Sequence, residues 1–355
     1  MESLTERPKI MEAPPTEEVR ICPLCASGRA KLLFWNFDRL HGLPGKFGIV
    51  ECETCKLVRL SPRPLKEFLG FYYPEGDYYS HTMLPTFSDK NCESVKEQIR
   101  NSVLFRLGYP GDGIRKSVKF FSPLFARLFL NKATYGAGKK FPQFVSNGRA
   151  LDIGCGSGVF LATLKRHGWS VQGVEISAIS AKRAKEALDI DVFVGNLKGA
   201  KFESNEFDFI SMNHSLEHIT DLDETLEEIR RVLSPDGILY IEVPNVESLS
   251  RKLSKEFWLH WDSPRHLFAF SPATLKLLLE KHKFSVARLR TIRADFYKWD
   301  QFYRREQVDK NSPPDRETLS LAERTKIRFL SSITDIYYRV NRESGDFLCC
   351  WAGKD

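Results

Sequence analysis

From Arg149 onward, short apolar runs alternate with stretches that are apolar on one side only. ALDIG (150–154), VQGVEI (171–176), DVFVG (191–195), FDFISMN (207–213) and GILYIEV (237–243) are rich in β-branched and aromatic residues and are bounded by glycine or polar residues, the pattern of buried strands. Between them, VFLATLKRHG (159–168), AISAKRAKEALDI (178–190) and DLDETLEEIRRVL (221–233) carry apolar residues at helical spacing. Strand and helix in alternation predict right-handed crossovers and an α/β core: a doubly wound, mostly parallel sheet covered on both faces. The pattern breaks at 246–272, an aromatic and basic insertion, then resumes with a helix SPATLKLLLEKH (271–282) and a strand FSVARLRTI (284–292). A second, mostly polar insertion over about 293–345 ends in a helix near 322–340, and DFLCCWAG (346–353) reads as the last strand.

The amino-terminal part is patterned differently. Residues 1–20 read as a flexible tail, 21–63 as a small module with two Cys-x-x-Cys pairs, and 64–145 as a helical, aromatic and basic lid or linker leading into the domain of 146–355. In SPLFARLFL, Ser122 and Pro123 suit a helix start, and Leu124, Phe125, Leu128 and Phe129 share one helical face. The chain has 355 residues, 42% apolar and 28% charged, which fits an ordinary folded protein of two or three domains. No apolar run approaches the ~18 residues of a membrane span, and the first twenty residues have no apolar block of a secretion signal. A cytoplasmic protein with reduced thiols is expected.

Net charge changes the picture only through its location. The total is +7. Between Asn101 and Pro142, Arg106, Arg115, Lys116, Lys119, Arg127, Lys132, Lys139 and Lys140 stand against Asp112 alone, so that 8 − 1 = +7 and the remainder is neutral. Such a segment could be the solvated face of a lid helix, touch an anionic membrane peripherally, or steer a phosphate-bearing acceptor. With the rest of the chain neutral, nucleic acid is the less favoured partner.

The main chemical signal is LDIGCGSG (151–158), between the first strand and first helix of the core. Gly154, Gly156 and Gly158 let the backbone turn sharply and approach a ligand at a helix N-terminus. The dinucleotide spacing G-x-G-x-x-G fails, because Val159 stands at its sixth position, and Asp152 would sit badly beside a pyrophosphate. Asp152 suits a cationic ligand instead. S-adenosylmethionine meets both demands, with its ammonium and sulfonium near Asp152 and its carboxylate taking loop N–H groups. Glu175 ends the second strand 21 residues after Gly154, a spacing at which an acid accepts hydrogen bonds from ribose hydroxyls.

With LDIGCGSG, Glu175 in GVEIS, VGNL before FDFISMNHSLEHITD, and RVLSPDGILYIEVPN, the chain resembles the class I S-adenosylmethionine-dependent methyltransferases over roughly Gly148 to Ile292. The resemblance implies a seven-stranded Rossmann-like sheet. It also matches Asn196 to the acid that contacts the adenine amino group, a role that an amide oxygen can fill, with the backbone at Leu197 in reserve. Asn213 and His214 match positions lining the methionine half. The expected cofactor set is Asp152, Gly154, Cys155, Gly156, Gly158, Glu175, Ile176, Asn196, Leu197 and Asn213. Another Rossmann-type ligand, or a vestigial site, is the competing reading.

Cys22, Cys25, Cys52 and Cys55 supply four thiolates, suited to a closed, structural tetrahedral zinc site. The 26-residue gap between the pairs exceeds the usual ribbon spacing of about 15 to 20, and Ala26 and Lys56 stand where knuckles often place glycine. Redox exchange, nucleic-acid contact, free core cysteines and an iron site are the alternatives. The module, the run LVRLSPRPLKEFLGFYYPEGDYY and the late SPRHLFAFSPATLKLLLEKHKF extend the resemblance to about 21–292, toward zinc-module methyltransferases of sugars and other small metabolites.

His214, Glu217 and His218 form H-x-x-E-H, which on a helix lie on adjoining faces. A similar region in quinone O-methyltransferases supplies an acid–acid–His metal set, here with His214 in place of the first acid; a helix-capping or core pair is the plainer reading. His266, in an insertion placed to cover the acceptor, has a side chain suited to a general base. Arg265 could bind an acceptor phosphate or pair with an internal acid, and Tyr72, Tyr73, Tyr78 and Tyr79 could form a lid or an interface. The expected function is methyl transfer from S-adenosylmethionine to a small acceptor, at an oxygen or carbon of a sugar or related metabolite, with His218, His266 and His214 as candidate catalytic residues. An RNA methyltransferase and a non-catalytic cofactor-binding scaffold are the rivals.

Overall fold

The computed structural model describes residues 12–74, 104, 107–109, 141–294 and 321–355. Among them lies a seven-stranded sheet with spatial order β12-β13-β10-β9-β6-β7-β8. Its strands are β6 (Arg149–Ile153), β7 (Ser170–Glu175), β8 (Val192–Val194), β9 (Phe207–Asn213), β10 (Leu233–Pro244), β12 (Phe284–Ile292) and β13 (Phe347–Lys354). The first five are parallel, and β13 enters antiparallel between β10 and β12. The sheet is thus the mostly parallel, doubly wound one expected. Strand order reverses between β6 and β9, which leaves a crevice at their carboxyl ends.

Alternation along β10 shows why the sheet is covered on both faces. Leu239, Ile241 and Val243 point into one buried cluster with Leu151, Ile210 and Met212, while Tyr240 points into the other with Ala150, Phe209 and Cys349. Helix α1 (Val159–Arg166) starts at Gly158, α2 (Ala178–Leu188) is capped by Ser177, and α3 (Leu222–Val232) by Asp221, whose carboxylate accepts from the Glu224 N–H. Leu222, Leu226, Ile229 and Val232 form the buried stripe of α3.

The insertion 246–272 contains α4 (Leu249–Ser254), two single 3₁₀ turns and the short β11 (Phe268–Ala269). β11 pairs antiparallel with β4 (Val58–Leu60), which pairs with β3 (Phe47–Cys52), which pairs with β2 (Ala30–Asn36). The cysteine module and the insertion therefore share one four-stranded sheet, and Phe47, Leu57 and Leu60 lie in the same core cluster as Leu267, Phe270 and Leu275. The two pieces are packed together. Helix α5 (Pro272–Lys281) begins with a reciprocal cap between Ser271 and Thr274. Helix α6 (Leu321–Val340) precedes β13, as the pattern predicts.

Most of the expected 64–145 lid, including the helix at 122–130, the basic run and Tyr78 and Tyr79, lies outside the described residues, as do 295–320. Among the described residues no helix is long and apolar enough to cross a membrane.

Candidate functional site

The glycine loop follows β6, and all three glycines have left-handed backbones, with φ of 73° at Gly154, 53° at Gly156 and 75° at Gly158. A β-carbon on Gly154 would lie 2.6 Å from the Ser215 β-carbon, so the loop and the segment after β9 approach as closely as glycine allows. The Gly154 and Cys155 N–H groups donate to the Val174 carbonyl, and Gly158 donates to the Cys155 carbonyl. Glu175 accepts from the Gly156 N–H at 2.8 Å and from the Ser177 N–H at 2.9 Å. These loop N–H groups already have partners inside the fold. The expected capture of a ligand carboxylate by them is not what this arrangement offers, because a turn this tight consumes its donors in holding its own shape.

Asp152 is buried beneath the loop, where it accepts from Ser211 Oγ at 2.6 Å and Asn213 Nδ2 at 3.1 Å. It places a negative charge at the cofactor edge and orients Asn213, whose amide oxygen is buried without a hydrogen bond. Cys155 is buried with its thiol pushed well above its ordinary pKa by burial and by the Asp152 and Glu175 charges, so it packs as a small apolar group. Ile176, next to Glu175, is 83% exposed, an apolar surface at the strand end where a planar base can rest. Asn196 is exposed and its Oδ1 accepts from the Gly199 N–H at 2.8 Å, while Leu197 is buried. The donor set fits S-adenosylmethionine: acids for its cationic and ribose groups, an apolar shelf and an unpartnered amide oxygen.

The segment after β9 departs from expectation. His214 adopts φ 53°, and only Leu216–His218 form a single 3₁₀ turn, so H-x-x-E-H does not lie on an α-helix. The left-handed bend at His214 turns the chain sharply out of the strand, and the Glu217 carbonyl accepts from the Leu267 N–H at 2.8 Å, which ties the turn to the insertion. His218 and His266 are thereby brought edge to face, with ring centroids 4.6 Å apart. His214 points elsewhere: Nε2 lies 3.2 Å from Glu242 Oε1 and Nδ1 lies 3.5 Å from Glu217 Oε1. Burial pulls its pKa down, but the two carboxylates outweigh burial and hold it at about 9. His214 is thus a cation between two acids.

His218 and His266 are different. Burial, reinforced by the neighbouring His266, lowers the His218 pKa to about 4, so its ring is neutral at pH 7. His218 Nδ1 is 3.0 Å from the Arg265 carbonyl and 3.0 Å from the Tyr73 hydroxyl, and His266 Nδ1 is 2.8 Å from the His260 carbonyl. A carbonyl accepts only, so each Nδ1 carries the proton and each Nε2 carries a lone pair. His218, neutral at pH 7, is a weak base with an available Nε2 lone pair.

Arg265 is buried and pairs with Asp38 at 2.7 Å and Asp262 at 2.5 Å, and its Nη1 donates to the Tyr72 carbonyl at 3.0 Å. Burial pulls its pKa down, but the Asp262 and Asp38 carboxylates overcome that and raise it. An anionic acceptor does not reach this guanidinium; it is the internal ion pair that locks the insertion to the loop after β2. Tyr72 is buried against Phe47 and Phe71 and donates to the Pro44 carbonyl, which is interface packing, whereas Tyr73 reaches the histidines. Asp38 and Glu242 escaped the sequence reading. Asp38 gives no signal in sequence, but Glu242, an acid at an inward position of the apolar run GILYIEVP, was visible.

In the cysteine module, Cys22 Sγ lies 3.6 Å from Cys55 Sγ and Cys25 Sγ lies 3.5 Å from Cys52 Sγ, with all four sulfurs within 4.8 Å of one another. A tetrahedron with zinc–sulfur bonds of about 2.3 Å has sulfurs about 3.8 Å apart, so the cluster fits zinc closely. Ala26 and Lys56 take left-handed backbones of φ 56° and 67°, and their N–H groups donate to Cys22 and Cys52 carbonyls, which completes two knuckles without glycine.

Residues 123–289 match a protein family described as "Methyltransferase domain". A demethylmenaquinone methyltransferase of Staphylococcus saprophyticus is 31% identical over 101 residues, 26% of this chain and 43% of that protein. A 2-phytyl-1,4-naphtoquinone methyltransferase of Trichormus variabilis is 35% identical over 108 residues, 27% of this chain and 47% of that one. A ribosomal RNA small subunit methyltransferase C of Alcanivorax borkumensis is 32% identical over 119 residues, 30% of this chain and 37% of that one. The chain spans less than half the length of each of these relatives. Among solved structures, a SAM-dependent methyltransferase from Archaeoglobus fulgidus superposes with a TM-score of 0.41 at 22% identity, over 72% of this chain and 94% of that one.

Proposed function

We infer that this chain, which carries a class I methyltransferase domain, transfers a methyl group from S-adenosylmethionine to an oxygen or carbon of a small molecule such as a sugar or related metabolite. The observation that carries the reading is the meeting, at Gly154 and Ser215, of two unlike edges. On one side stand Asp152, Glu175, Ile176 and Asn213; on the other stand the imidazoles of His218 and His266. When bound, S-adenosylmethionine supplies an electrophilic methyl on a cationic sulfur. Asp152 and Glu175 give a cation a negative field and a ribose its acceptors, and Asn213 offers a buried amide oxygen on the methionine side. Methyl transfer is an in-line displacement, so most of the acceleration comes from positioning. The His218 and His266 Nε2 atoms stand ready for the proton of an acceptor hydroxyl.

Enclosure supports a small acceptor over RNA: His266 and Trp258 are buried and Tyr73 lies against His218. The two relatives named for quinones point to small molecules. The relative named for ribosomal RNA keeps the second reading open, and binding that weakens steeply with salt would favour it.

Replacing Glu175 with Ala is expected to weaken S-adenosylhomocysteine binding at least about tenfold by calorimetry, the loss of one charged hydrogen-bonding partner. Unchanged affinity would remove the site assignment. Single-turnover transfer of labelled methyl to a metabolite extract separates an enzyme from a cofactor-binding scaffold.

A further inference from the structure

We propose that Glu217, His218 and His266 hold a divalent transition-metal ion beside the cofactor edge. The proposal deepens the methyl-transfer reading and rests on it for the ion's use, though not for its presence. One ligand atom from each residue lies within 4.8 Å of the others. Glu217 is 1% exposed, and neither of its carboxylate oxygens accepts a hydrogen bond; the nearest cation, His214, stands at 3.5 Å from Oε1. His214 supplies one positive charge there, and the unpartnered Oε2 leaves a lone pair for a second.

The two imidazoles are arranged as metal ligands commonly are. In each, Nδ1–H donates to a backbone carbonyl, of Arg265 for His218 and of His260 for His266, which fixes the ring and leaves Nε2 as the donor atom. His214 holds the far side of Glu217 and is itself steadied by Glu242, so the carboxylate has a support of its own. The three donors come from two segments joined by the hydrogen bond from Leu267 N–H to the Glu217 carbonyl, which sets their separation before any ion arrives. Asp262, with Oδ2 4.0 Å from His266 Nε2, is already committed to Arg265.

Two imidazoles and one carboxylate suit zinc, iron, cobalt or manganese in the divalent state, and not calcium or magnesium, which prefer oxygen-rich cages. With an ion bound, both Nε2 atoms are ligands rather than bases, and the three protein donors leave coordination positions open for a hydroxyl whose pKa the ion would lower. The class of ligand that fills them is an oxygen donor, here an acceptor carrying an ionisable hydroxyl such as a phenol or enol, rather than an unactivated carbon.

The test is a cobalt(II) titration of the full chain after mild chelation, with metal counted by mass spectrometry and the visible spectrum recorded. Occupancy here gives ligand-field bands without thiolate charge transfer, which distinguishes it from cobalt at the cysteine cluster. We expect one such ion per chain, with affinity reduced at least about tenfold in Glu217→Gln and in His266→Gln. A wild type that takes no cobalt outside the cysteine cluster at millimolar metal overturns the proposal, as do folded variants that bind cobalt as tightly as wild type. Should the variants fail to fold, the wild-type spectrum decides alone. S-adenosylhomocysteine calorimetry runs alongside: cobalt bound without cofactor affinity would strike the methyl-transfer reading and leave the metal site standing, and the reverse result would do the opposite.

Discussion

The proposed cofactor edge is made from residues 152–176 and their immediate partners on β9, and most of its geometry is backbone: three left-handed glycines, a strand end and a helix start. The proposed acceptor edge, across the contact between Gly154 and Ser215, is assembled from Asp38, Tyr73, Glu217, His218, Glu242 and the 260–266 segment, and its geometry is side chain against side chain. The first is a local device that any sheet of this topology can carry. The second exists only while the cysteine module, the insertion and the turn after β9 are docked on one another. The two edges should therefore fail independently.

The largest test removes the module's own support. On the reading that the four thiolates hold zinc, changing Cys22 and Cys25 to Ser should lower the metal count by one zinc per chain. A structural tetrathiolate site is worth on the order of 10 kcal/mol to its fold, and loss of β4 removes the partner of β11. We expect methyl transfer to disappear while S-adenosylhomocysteine affinity changes little; equal loss of both would show that the edges are one unit. Next in size, Arg265→Met strands Asp38 and Asp262 as buried carboxylates. Breaking such a set by removing one partner costs about 3–5 kcal/mol, read as a lower midpoint of denaturant unfolding. A drop below about 1 kcal/mol would mean that the ion pairs do not fasten the insertion.

Gly154→Ala presses on the seam itself. The new β-carbon meets Ser215 at 2.6 Å and the backbone stays at φ 73°, a strain of about 1–3 kcal/mol. Its signature should be weakened cofactor binding together with slower turnover, because both edges touch there. Weakened binding with normal turnover at saturating cofactor would place the seam wholly on the cofactor side.

Much of the doubly wound core was legible because a parallel sheet buried on both faces writes itself as apolar runs between amphipathic helices, and those runs became β6 to β10, α1 to α3, α5 and β12. The glycine loop was legible for a similar reason: left-handed turns select glycine, and Asp152 and Glu175 stand at fixed distances from them. The loop donors were misjudged because sequence does not show that Val174 and Glu175 already accept from them. The H-x-x-E-H helix was misjudged because a positive φ at His214 is a tertiary choice, imposed where Gly154 and Ser215 crowd together.

By itself, then, the sequence determined the sheet, the glycine turn after its first core strand, and a quartet of thiolates spaced for a tetrahedral ion, since each of these is encoded within a few dozen neighbouring residues. Only the tertiary structure decided that His218 should meet His266, that Arg265 should be an internal fastener rather than a hand for the acceptor, and that Glu217 should be left buried without a hydrogen-bond donor. Those outcomes depend on which distant segments share a core, and apolar packing fixes that without leaving a mark on the polar residues it carries along.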